Sequence, residues 1–182
     1  MSDITGRNSH KSRINKRLIF ECIIFSLLLV IATLFQVSFF RVFGKVPAIV
    51  LCFVSAIGFL SGEKCGAVCG IVGGFFIDML GSTGITFSPL LYMLAGYFCG
   101  YFLKFFFRKN FPSFIIYALA IGGIFELITL LYYAFETTSF NIVDIFSHTL
   151  IPEFFAYLVC VPMAYFITLG VSRTTQKIFK NK

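Results

Sequence analysis

Long apolar runs alternate with short polar joins along the whole chain, and the runs have the length that crosses a bilayer. Six can be drawn, at about 18–40, 46–62, 65–82, 85–107, 111–136 and 144–171, near the roughly 20 residues that a helix needs to span hydrocarbon. Proline and glycine punctuate the joins. Pro47 and Pro112 fall in the first turns of the second and fifth runs, where a missing N–H is harmless, and Gly81 and Gly84 bracket a tight turn between the third and fourth. The first run follows a basic segment, but its length and the lack of a small-residue cleavage site after it predict a retained helix rather than a signal peptide.

Composition agrees. Of the 182 residues, 58% are hydrophobic and 13% charged, with a mean hydropathy of +0.92; a soluble domain carries about 25% charged residues. A soluble protein of this size has too little interior to hide so many apolar runs. The pattern predicts an all-α integral membrane protein, a six-transmembrane-helix bundle over 18–171 flanked by basic tails at 1–17 and 172–182, the tails too short to fold on their own.

A net charge of +7 raises the question of nucleic acid, but the cations sit at the ends and joins rather than along one element. With six spans and a cytoplasmic N-terminus, thirteen of the fifteen Lys and Arg residues fall inside, and only Arg41 and Lys45 outside. That is the positive-inside pattern, so both termini are expected in the cytoplasm and no nucleic-acid partner is expected.

Ionisable groups inside spans are costly, at about 2.5–3.5 kcal/mol for a central Asp, Lys or Arg. Glu21 lies one turn into the first run, beside Arg17, and is expected to reach the interface. Asp78, Glu126 and Glu153 lie deeper. At 1.5 Å per residue, Asp78 and Glu126 stand roughly 21 Å up from the inner face and Glu153 roughly 14 Å down from the outer one, so all three share the outer half of the membrane. Together with Gln36, Arg41 and Lys45 they are expected to form a polar cluster open to the outside, each acid paired, hydrogen-bonded or protonated.

The third run carries glycines at 66, 70 and 74, and the fourth at 96 and 100. Small residues four apart let helix backbones approach closely, which in lipid takes the place of hydrophobic drive; the pattern fits either packing within the bundle or reception of a partner helix. No nucleophile elbow, phosphate loop, metal-ligand set or Ser/His/Asp arrangement is present, and neither His10 nor His148 has a persuasive catalytic neighbour. The six cysteines lie in apolar runs without metal or CxxC spacing, and packing is their expected role. Neither enzymatic activity nor a cofactor is expected.

Several stretches resemble, in order and spacing, the rod-shape-determining MreD family: FQVSFF with Gln36; FGKVPA with Pro47; GEKCGAVCGIVGGFFIDMLGSTG with Gly62, Gly66, Gly70, Gly74, Asp78, Gly81 and Gly84; LLYMLAGYFCG with Tyr92, Gly96 and Gly100; and IPEFFAYLVCVPMAY. The chain departs from that pattern at Ala48, where members carry an acid, and at Tyr157, where they carry asparagine. The resemblance implies a non-enzymatic scaffold in the bacterial cell membrane, similar in fold to the S-components of energy-coupling-factor vitamin importers. Its implied partners are a bitopic MreC-like protein and, through it, MreB filaments and RodA with a class B penicillin-binding protein. The alternative is a substrate-binding S-component itself. Against that stands the first run, where FSLLLVIATLF has only Ala32 and no AxxxA docking face.

Overall fold

A computed structural model describes residues 2–43, 48–80, 87–106, 110–136 and 151–180, with side chains for 18–38, 48–80, 87–102, 110–132, 135 and 153–177. Among the described residues there are six helices and no strand: α1 (Ser2–Phe43), α2 (Ile49–Ser61), α3 (Glu63–Leu80), α4 (Ser88–Phe106), α5 (Phe111–Glu136) and α6 (Ile151–Lys180). Each apolar run overlaps one of them. Segments Leu18–Ser38, Phe111–Tyr132 and Glu153–Lys177 are each long and apolar enough to cross a membrane, which identifies a helical membrane protein.

The boundaries differ from expectation at the tails. The tails at 1–17 and 172–182 do not stand apart as unfolded segments, because α1 begins at Ser2 and α6 continues to Lys180. Nucleation is the unfavourable step in helix formation, and a polar flank joined to an existing helix extends it at one hydrogen bond per residue. The last helix is described from Ile151, and its expected start near 144 lies outside the described residues. Lys45, Pro47, Gly81, Gly84, Asp144 and His148 lie outside the described residues.

Helix α2 is the centre of the fold. Every residue from Ile49 to Phe59 except the half-buried Phe53 is buried, and α1, α3, α4, α5 and α6 all pack against it. Its sequence is apolar on all sides, as a helix enclosed by others must be. One residue, Gly62, joins it to α3. Gly62 has φ +98°, donates its N–H to Gly58 O at 3.0 Å and accepts from Gly66 N–H at 3.0 Å. Only glycine adopts this backbone without strain.

The other helices attach by two different means. Helix α4 meets α2 and α3 across glycines. Helices α5 and α6 instead meet α2 through rings: Phe59 lies 5.4 Å from Phe114 and 6.4 Å from Tyr165, measured between centroids, and Phe114 lies 5.0 Å from Tyr165. Helix α1 buries Glu21, Phe25, Leu29, Ala32, Thr33 and Gln36 along one stripe. Glu21 therefore does not reach the interface as expected; only 4% of it is exposed, because it begins the inward-facing row.

The corner at Gly62 separates strain from crowding, since a Cβ there would meet nothing within 4 Å. Gly62→Ala is expected to lower stability by about 1–3 kcal/mol through backbone strain alone. Gly123→Ala in α5, equally uncrowded and without positive φ, is expected to be neutral or to stabilise by up to about 1 kcal/mol. Unfolding of the purified protein in detergent compares the two.

Candidate functional site

The five glycines singled out by spacing bring α3 against α4. A Cβ placed on Gly66 would stand 2.6 Å from Gly58 Cα, on Gly70 2.8 Å from Met93 Cα, and on Gly74 2.5 Å from Pro89 Cα. On the facing helix, Gly96 would meet the Gly66 carbonyl carbon at 2.6 Å and Gly100 the Glu63 Cα at 2.6 Å. All of these neighbours are backbone atoms, which cannot turn aside as a side chain can. The register drifts as a 3.6-residue helix dictates. Gly73 points elsewhere, toward Val50, Val54 and Leu29.

Spacing did not reveal Gly58. It sits alone in α2, yet it completes a three-helix junction: a Cβ there would overlap the Gly96 carbonyl, and Gly66 lies on its other side. Gly122 was also missed. The Tyr157 ring occupies the space its side chain would fill, 2.5 Å from the position of a Cβ. The signals available were the Gly122–Gly123 pair in an otherwise apolar helix and the four-residue step from Gly58 to Gly62.

The expected polar cluster is divided among several neighbours. Gln36 does not join the acids; its Oε1 accepts from Val50 N–H at 3.0 Å, satisfying one of the donors that the first turn of α2 leaves free. Asp78 lies near enough to Tyr92 of α4 for the two to interact electrostatically, without a hydrogen bond between Oδ1 and the hydroxyl. Glu126 of α5 and Glu153 of α6 lie within electrostatic range of one another. The rings of Tyr92 and Phe125, 5.6 Å apart, connect the two places. Within the described residues Asp78 Oδ1, the Tyr92 hydroxyl and Glu126 Oε2 are buried without a hydrogen-bond partner. The Arg41 side chain and all of Lys45 lie outside the described residues.

Tyr157, at a position where the sequence departs from the MreD pattern, is 2% exposed. Its hydroxyl donates to Ala118 O at 2.8 Å and its carbonyl accepts from Cys52 Sγ at 3.8 Å. It thereby ties α6 to α5 and to α2, a structural role that its sequence position did not advertise.

A cavity of about 520 Å³ opens between α4 and α5, floored by Leu51 of α2. Leu91, Leu94, Phe98 and Phe102 form one wall, and Tyr117, Ala120, Ile121, Ile124 and Ile128 the other. Leu94, Phe98, Phe102 and Ile124 are exposed, so the cavity is a groove on the flank of the bundle. Its origin lies in the two modes of attachment: glycines draw α4 onto α3, while aromatic rings hold α5 away from it.

No family model, no curated protein and no solved structure matches the chain.

Gly70→Leu replaces a backbone contact with four carbons and is expected to abolish the α3–α4 seat and with it folded protein, although leucine is the more lipid-soluble residue. Gln36→Leu is expected to cost about 1–3 kcal/mol by leaving Val50 N–H unsatisfied, and Tyr157→Phe about 0.5–1.5 kcal/mol. Yield of monodisperse protein reads the first, and detergent unfolding midpoints read the other two.

Proposed function

We propose that this chain is a non-enzymatic membrane scaffold of the MreD type, with six spans and both termini in the cytoplasm, similar in architecture to an S-component. It engages a bitopic MreC-like protein and through it organises peptidoglycan synthesis by RodA and a class B penicillin-binding protein along MreB filaments. The order and spacing of the MreD-like stretches support this reading, as does the placement of the cations. The α3 block now has a physical rationale: its glycines seat α4, and the same helix delivers Asp78 to Tyr92.

The observation that favours a scaffold over a vitamin carrier is the character of the α4–α5 groove. Its lining is aliphatic and aromatic, whereas a water-soluble ligand needs convergent polar groups to fix it. A groove of this kind on a lipid-facing flank accepts a single apolar helix, whose side chains fill it by shape, as helices pack in membranes. The transmembrane segment of the MreC-like partner is the occupant this reading assigns.

Affinity isolation of the tagged protein from its host membrane, followed by identification of what accompanies it, tests the proposal. Recovery of MreC-like and peptidoglycan-synthesis proteins is expected; recovery of paired ATPases with a coupling subunit overturns it. Ala120→Trp and Ile124→Trp fill the groove and are expected to reduce MreC-like recovery about tenfold, equivalent to about 1.4 kcal/mol. Phe155→Trp, on an exposed position of α6, is expected to leave recovery unchanged.

A further inference from the structure

Three thiols from two helices converge at one end of the bundle. Cys22 of α1 and Cys65 of α3 are 43 residues apart in sequence, and their sulfurs lie 3.1 Å apart. Cys69, one turn further along α3, neighbours both of them and Ser26 of α1. All six cysteines are free. Among the described residues no group of three or more His, Cys, Asp or Glu is arranged to hold a metal ion.

We propose that Cys22 and Cys65 form an oxidative modification site, a thiol pair that a peroxide converts reversibly into a disulfide tying α1 to α3. Proximity supplies the first requirement, since the two sulfurs need to approach by only about 1 Å to reach the bonding distance of 2.03–2.05 Å. Access supplies the second. Cys22 is half-buried, whereas Cys65 is 2% exposed. Cys22 stands four residues, about 6 Å, from the polar end of the Leu18–Ser38 span, and Cys65 adjoins the exposed Lys64. Peroxide therefore reaches Cys22 from water without crossing the apolar layer.

The chemistry balances in two steps. Cys22 Sγ attacks one peroxide oxygen, the O–O bond breaks, and a sulfenic acid and one water form. Cys65 Sγ then displaces the sulfenic oxygen as a second water, leaving the disulfide. Two thiols lose two electrons and two protons, and hydrogen peroxide gains them. A dithiol reductant reverses the step by exchange.

The test treats the full chain, in native membranes and in detergent, with hydrogen peroxide, then unfolds it and counts free thiols by maleimide mass tagging. The count is expected to fall from six to four, to return to six with dithiothreitol, and to be accompanied by a crosslinked peptide joining Cys22 to Cys65. Cys52→Ser, distant from the cluster, is expected to lose two thiols as before, and Cys22→Ser or Cys22→Ala to lose none. Retention of all six thiols, a bond in which Cys69 replaces either partner, or a bond between two chains overturns the proposal. Mapping on the unaltered protein decides the matter even where a cysteine variant fails to fold.

Discussion

At the junction of Gly58, Gly66 and Gly96 three helix backbones meet with no side chain between them. In lipid, apolar side chains gain little from facing one another rather than acyl chains, so close backbone approach must supply much of the packing energy. The rest of the architecture follows from this contact. It fixes α2, α3 and α4 as a unit, leaves α2 enclosed on all sides, and sets the position from which α1, α5 and α6 take their places.

Those outer helices use bulk where the inner ones use its absence. Phe59 of α2 meets Phe114 of α5 and Tyr165 of α6, and Tyr157 fills the slot above Gly122. A helix seated on rings stands farther from its neighbour than one seated on glycine. The flank between α4 and α5 is where the two spacings meet and fail to close, so the apolar groove is a geometric consequence of the packing, and the proposed partner would complete the bundle there.

The order of the six described helices was legible because hydropathy over some 20 residues is a local property. The α3 and α4 glycines were legible because they repeat at a helical interval. Gly58 continues the four-residue interval back through Gly62, but it lies beyond the corner in another helix, so the interval alone did not tell that it occupies the same junction. Gln36 drew attention as a polar residue in an apolar run, but its partner is the backbone N–H of Val50, which no survey of side chains contains. Burial of Glu21 was obscured by its proximity to a basic tail that suggested solvent. The approach of Cys22 to Cys65 depends on how α1 crosses α3, and a separation of 43 residues carries no trace of that crossing.

The corner at Gly62 also bears on how the chain reaches its membrane. Helix α2, at 13 residues, covers about 20 Å of a hydrocarbon core about 30 Å thick, too little to be held there by its own partition energy. With a single residue between it and α3, it has no slack with which to wait on the surface. The two helices are therefore one hairpin, close-packed at its tip, and any movement into an apolar layer has to carry both together.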